Sequence, residues 1–268
     1  LDQAVAEEQD RVAMLREERL EVVTHRRAPL GTDVVRHAAA AVTMVSTPSL
    51  MSALTQRGFR NLGMWTRGVD TDVFHPDCAV DLAFPRPIFV TAGRVAVEKN
   101  LDAFLSLDLP GTKVVIGDGP HEEELRRRYP EAKFLGLQSA EVLARHLAAA
   151  DVFVFPSLTD TFGVVQLEAL ACGTPVAAFP VTGPKDVIGD SPVGVLHHDL
   201  RAACLAALDL SRQDCRQFAL AHGWERSVRQ FVGHVERAAG RSHERSHAGK
   251  CAAMRDLGAP NSNRRIAV

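Results

Sequence analysis

A chain of 268 residues, 46% apolar and 24% charged, has the make-up of a globular protein with room for one large domain or two small ones. Its net charge of −2 and its single tyrosine, Tyr129, leave no electrostatic or stacking case for nucleic acid or an acidic membrane surface. Five scattered cysteines (Cys78, Cys172, Cys204, Cys215, Cys251) without a CxxC pair argue against a disulfide framework and a zinc site, and so for a reducing compartment, the cytoplasm. No run of about 18 apolar residues offers a membrane span, and the start is acidic rather than signal-like. The chain begins at Leu1, which is expected of a truncated or fragmentary polypeptide.

Residues 1–27 are dense in Glu and Arg, with a thin apolar seam at Val5, Val12, Leu15 and Leu20 that suits one solvated helix. Glu8 and Arg19 interrupt the seam too early for a coiled coil. From residue 41 short β-rich runs begin: a strand over 42–45, a helix over 48–57 ended by Gly58, and a strand over 61–66. The stretch 67–76, with Gly68, Asp70, Asp72 and Pro76, has linker character. A regular alternation follows. Strands are predicted at 87–92, 113–117, 132–135, 152–155, 175–179 and 193–196, and helices near 100–107, 121–128, 139–150, 163–172 and 199–208. Val/Ile/Phe runs separated by helices mark a parallel sheet buried on both faces. Right-handed crossovers then make a doubly wound α/β domain whose ligand crevice lies at the carboxyl ends of the strands. Two further helices fill 211–238 with Gly223 between them, and from Ala239 the polar, aperiodic chain is expected to be disordered. The domain plan is thus an N-terminal segment to 40, a short unit with linker over 41–76, the nucleotide-fold domain over 77–210, helices over 211–238 and a tail.

Four loops at predicted strand ends carry candidate chemistry. After the strand at 87–92, Gly93 allows close backbone approach, and Arg94 and Lys99 can straddle a diphosphate. Ordinary surface charges would read the same way, so this motif alone is evenly balanced. Gly117-Asp118-Gly119-Pro120 makes a tight turn after the next strand, and Gly136 could border a nucleobase, although plain turns account for both. The strongest segment is 156–175. A helix begins there near Phe162-Gly163, and free amides at its N-terminus form an anion site suited to phosphate. Asp160 precedes that helix, and Glu168 lies about 12 Å further along if the stretch is helical. Carboxylates suit hydroxyl recognition, since each accepts two hydrogen bonds from a vicinal diol. Asp160 could equally cap the helix, whereas Glu168 interrupts an otherwise apolar helix and is harder to dismiss as a surface charge. The fourth loop, Gly183-Pro184-Lys185-Asp186, lies on the same edge and reads as a pocket wall or a tight connection. Asp70 and Asp72 form a DxD pair in the linker and are read as structural, with metal binding a minor alternative. His197 and His198, adjacent on a strand, would point to opposite faces and do not suggest a metal site.

In this order and spacing, Gly93-Arg94 with Lys99-Asn100, the 117–120 turn, the segment from Asp160 to Pro175 and Gly183 resemble the family-4 retaining glycosyltransferases of the GT-B fold. Asp160 and Glu168 match that family's pair of acidic residues separated by seven, with Asp where Glu is usual. Thr159-Asp160-Thr161-Phe162-Gly163 is similar to a subgroup containing bacterial α-mannosyltransferases that use GDP-mannose. The stretches 47–50 and 67–70 look like the family's domain junction, so the resemblance runs from about residue 41 to about 238.

The resemblance implies that Arg94 and Lys99 neutralise the donor diphosphate and steady its departure. It implies that Asp160 touches the transferred sugar, that Gly93, Gly117, Gly119, Gly136, Phe162, Gly163 and Val164 line the nucleotide, and that Glu168 holds the ribose hydroxyls. No metal or other cofactor is implied; the donor is a GDP- or UDP-sugar and the acceptor a glycan or glycolipid. A complete member has two Rossmann-like domains with the acceptor domain first, yet only about 65 residues precede the junction here. An exposed apolar patch is therefore expected near Trp224, where the last helices would lack their partner. The chain alone is expected to bind donor but transfer weakly or not at all, and peripheral membrane contact through the missing domain stays open. A non-catalytic nucleotide-sugar-binding module is the alternative. A dehydrogenase is disfavoured by the absence of a first-strand GxGxxG.

Overall fold

The computed structural model describes residues 40–239. The helix expected over 1–27 and the tail from 240 onward lie outside the described residues, while Ala239 closes the last helix rather than opening the tail.

The first described unit is small. Strands β1 (Thr43–Val45) and β2 (Leu62–Met64) pair in parallel, and helix α1 (Pro48–Gln56) crosses between them. Thr47 starts α1 by accepting from the Leu50 amide at 3.2 Å, with Pro48 in the first turn where its missing N–H costs nothing.

A six-stranded, all-parallel sheet follows: β3 (Ile88–Ala92), β4 (Thr112–Ile116), β5 (Lys133–Phe134), β6 (Val152–Phe155), β7 (Val176–Ala178) and β8 (Gly194–Leu196). Each observed strand lies within its predicted range or is offset by one residue, because continuous β-branched and aromatic runs are what burial on both faces requires. The spatial order is β5-β4-β3-β6-β7-β8. The chain winds outward from β3 to β5, then returns to place β6 beside β3, so the winding direction reverses between β3 and β6.

Helices cover both faces. On one lie α2 (Leu101–Leu105), α3 (Glu122–Arg128) and α7 (Leu200–Ala207), whose Leu101, Phe104, Leu125 and Ala203 pack with Phe89, Val115 and Val154 of the sheet. On the other lie α4 (Ala140–Ala149), α5 (Val164–Ala171) and α8 (Arg212–Leu220), whose Leu147, Leu167, Leu170 and Cys215 pack with Val90, Val114 and Phe153. Ser139, Asp199 and Ser211 cap α4, α7 and α8 through backbone amides two or three residues on. The short α6 (Pro184–Val187) follows β7.

The last helix, α9 (residues 224–239), follows the break at Gly223 and returns to the first unit. The Gln230 side-chain oxygen accepts from the amide and hydroxyl of Thr66, both at 2.9 Å. The Ser227 hydroxyl donates to the Thr66 carbonyl at 2.8 Å, and Trp65 stacks at a tilt on Phe231 with centroids 5.3 Å apart. Along this helix Trp224, Val228, Val232 and Val235, together with the outer side of Phe231, stay 40–54% exposed, which is the apolar patch the sequence predicts. Among the described residues no helix is long and apolar enough to cross a membrane.

Candidate functional site

Loops leaving two neighbouring strands in opposite winding directions open a crevice at the sheet's carboxyl edge, and here that edge is the reversal between β3 and β6. The loop after β3 carries Gly93, Arg94 and Lys99; the loop after β6 carries Ser157, Asp160, Phe162 and Gly163. Asn100, held in the left-handed region at φ 53°, donates its side-chain amide to the Pro156 carbonyl at 3.0 Å and ties the loops together at their base.

Lys99 and Asp160 meet across this crevice. The ammonium reaches both carboxylate oxygens, at 2.8 and 3.0 Å, with the two side chains 30% and 20% exposed. Asp160 is therefore not the cap of α5: the N-cap is Gly163, in the left-handed region at φ 74° with no side-chain bond. Nor does Lys99 stand free to straddle an anion with Arg94, because it is engaged by Asp160, and Arg94 is paired with Glu98 four residues on. The two cations of the loop have separate partners, and the expected clamp has to be assembled by breaking those pairs.

Glu168 lies on α5, and among the described residues no hydrogen bond or ion pair reaches its carboxylate. Burial alone pushes its pKa up from the ordinary 4.5 to about 7. A buried carboxyl without a protein partner can accept hydroxyl donors from a ligand. Phe162, Gly163 and Val164 form the entry to α5, where the Gln166 amide donates to the Gly163 carbonyl at 3.0 Å and the amides before it have no intrahelical acceptor.

The glycines divide into two kinds. At Gly93 (φ 140°) and Gly136 (φ 70°) a Cβ would meet nothing within 4 Å, so their backbones border open space. At Gly117 a Cβ would lie 2.0 Å from the Gly93 carbonyl oxygen, and at Gly119 2.4 Å from that of Val95. These two let the β4 loop press against the β3 loop, an arrangement fixed by bonds from the Gly93 amide to the Ile116 carbonyl and from the Val95 amide to the Asp118 carbonyl. Their neighbours in the structure are protein backbone.

Two residues absent from the sequence reading belong to this region. Gln166 is fully buried in α5; its amide nitrogen donates to the Phe162 carbonyl at 2.9 Å and holds the loop before the helix, while its side-chain oxygen has no partner. Ser157, 2% exposed at the end of β6, likewise has an unpartnered hydroxyl. A buried polar residue inside an apolar helix is the signal that singled out Glu168, and it applied equally to Gln166. In the linker, Asp70 accepts from the amides of Asp72 and Val73 at 3.0 and 3.1 Å, a local turn that matches its structural reading. Among the described residues no group of three His, Cys, Asp or Glu side chains is placed to hold a metal ion.

A doubly wound parallel sheet in this strand order, with a Lys–Asp pair joining two loops at its reversal, is an α/β domain of the GT-B type. Residues 86–212 match the family described as glycosyl transferases group 1. The GDP-mannose-dependent alpha-mannosyltransferase of Mycobacterium tuberculosis (strain CDC 1551 / Oshkosh) is 33% identical over 223 residues, which cover 76% of this chain and 59% of that enzyme. The D-inositol 3-phosphate glycosyltransferase of Mycolicibacterium paratuberculosis is 32% identical over 204 residues, covering 64% of this chain and 46% of its own. Among solved structures, Anabaena HepE in complex with UDP and glucose superposes with a TM-score of 0.64 at 18% identity, over 77% of this chain and 66% of that one. Sucrose-phosphate synthase from Thermosynechococcus elongatus superposes with a TM-score of 0.68 at 24% identity, over 80% and 62%. The chain thus spans well under two thirds of the length of these curated relatives.

Proposed function

We propose that the crevice between the β3 and β6 loops binds a nucleoside diphosphate sugar, and that the chain serves the retaining transfer of its hexose to a glycan or glycolipid. The observation that carries this reading is the convergence of Lys99 and Asp160, 61 residues apart in sequence, at the reversal of the sheet. In the proposed complex Lys99, with Arg94 once released from Glu98, faces the diphosphate. The open backbone at Gly93 and the amides at the start of α5 share its charge. Asp160 faces the sugar, and Glu168 accepts from the ribose hydroxyls. Gly136 borders the base, while Gly117 and Gly119 act by holding the loops together. Transfer then proceeds through a loose, oxocarbenium-like transition state in which fixed positive charge stabilises the departing nucleoside diphosphate. Neither a metal nor another cofactor enters the proposal. GDP-mannose is the favoured donor, on the similarity to the mannosyltransferase relatives.

A second reading, a non-catalytic module completed by another polypeptide, is favoured by the exposed stripe on α9. On either reading this chain alone is expected to transfer sugar weakly or not at all. Calorimetric titration with GDP, UDP and their sugars, on the chain and on Lys99→Ala and Glu168→Ala, tests the common core. One nucleotide should bind, and each substitution should weaken it at least about tenfold. Equal binding by all three proteins would remove the site from this crevice.

A further inference from the structure

We infer that the Lys99–Asp160 ion pair makes the crevice discriminate between a nucleoside diphosphate that still carries its sugar and one that has lost it. The inference rests on the donor-site reading and adds a rule for affinity that the reading alone does not contain. In the structure each charge answers the other: one ammonium bonds two carboxylate oxygens at 2.8 and 3.0 Å in a setting where Asp160 is only 20% exposed. A diphosphate that recruits Lys99 leaves this carboxylate without its cation, and the anions then repel at close range where solvent screens them poorly.

The backbone on which this pair is mounted is held in place. The backbone carbonyl of Asp160 lies so close under Gly183 that a Cβ there would approach it to 2.8 Å. On the other side, the Asn100 bond to the Pro156 carbonyl anchors the residue next to Lys99 to the β6 loop. Arg94 offers no substitute cation, since once released from Glu98 it too turns to the diphosphate. The group that can satisfy Asp160 once Lys99 turns to phosphate is a hydroxyl donor placed beside the diphosphate, which is what the sugar of a nucleoside diphosphate sugar supplies. A bare nucleoside diphosphate brings the anion and no donor. After the sugar leaves, Asp160 reclaims Lys99 and the product is released.

Inorganic diphosphate reads this out independently of base and sugar. Calorimetry on the full chain would compare inorganic diphosphate, GDP and GDP-mannose, with UDP and UDP-glucose in parallel. The proteins are the unaltered chain, Asp160→Asn, Asp160→Ser in case the amide forms a new bond to Lys99, and Lys99→Met. Both Asp160 variants should bind inorganic diphosphate and the bare nucleotide about fivefold more tightly than the unaltered chain, as expected for release from a partly exposed ion pair. They should bind the sugar-bearing nucleotide no more tightly, and Lys99→Met should bind diphosphate weakly. Unchanged or weaker diphosphate binding by both folded Asp160 variants, with nucleotide sugar still bound by the unaltered chain, would overturn the inference and leave the donor site standing. No binding of any nucleotide or diphosphate by the unaltered chain would overturn both.

Discussion

Glu168 shows what a single residue contributes when its helix buries a charge without a partner. Burial raises its pKa from 4.5 to about 7, so the neutral acid is the form the fold favours. The stability associated with this group is fully present below pH 4.5 and is lost as pH rises through 7. Urea unfolding should therefore show the chain losing on the order of 2 kcal/mol more than Glu168→Gln between pH 5 and pH 8. Ligand binding should show the opposite slope. If, as proposed, ribose hydroxyls donate to the ionised carboxylate, affinity for a nucleotide sugar should rise about tenfold from pH 6 to pH 8. The same titration on Glu168→Gln should be flat. Gly117 and Gly136 make a second contrast at this scale. Gly117→Ala drives a methyl to 2.0 Å from the Gly93 carbonyl at φ 126°, and is expected to lower stability by about 3 kcal/mol or more. Gly136→Ala meets open space at φ 70° and should lose only about 1 kcal/mol. Similar thermal shifts for the two would refute the division of glycines into those packed on backbone and those bordering open space.

At the scale of elements, α8 acts as a clamp on the helices that back the site. Arg212 donates to the carbonyls of Ala148 and Ala150 at the end of α4, at 2.6 and 2.7 Å, and to that of Cys172 at 3.4 Å. Arg216 donates to the carbonyls of Ala171, Phe74 and Thr71 at 2.9, 2.7 and 3.0 Å. Helix C-termini leave carbonyls without partners and carry negative partial charge, so two guanidinium groups satisfy α4, α5 and the linker together. Arg212→Met keeps the aliphatic stem but leaves several partly buried carbonyls unsatisfied. It should reduce unfolding free energy by about 3 kcal/mol in chemical denaturation, more than any exposed arginine such as Arg127. Because α5 carries Glu168 and begins at Gly163, nucleotide binding should weaken in the same variant, although Arg212 lies on the opposite end of α5.

For the molecule as a whole, the outstanding feature is the apolar stripe of α9 beside its packed face. Trp224, Val228, Phe231, Val232 and Val235 recur at the spacing of one helical face, and none is buried. Such a surface drives association. Val228→Lys with Val232→Glu should cut concentration-dependent light scattering markedly while shifting the melting temperature by no more than about 2 °C, since neither side chain supports the core. A large drop in melting temperature would mean that the stripe is structural.

The sequence by itself determined the parallel sheet and its helices. Runs such as Val152–Phe155 admit one environment, burial between two helical layers, and Gly58 and Gly223 mark helix ends without tertiary help. It also exposed Glu168, because a carboxylate inside Val164–Ala171 violates the pattern of its own helix. The Lys99–Asp160 pair was not legible. Its formation depends on β6 lying against β3, with Phe89 opposite Val152, although β4 and β5 intervene in the chain. Local periodicity reports which face of an element is buried, but strand order decides which loops share an edge. That order emerges from packing all the layers at once, so the partners of Lys99, Asp160 and Arg212 were decided by the tertiary structure alone.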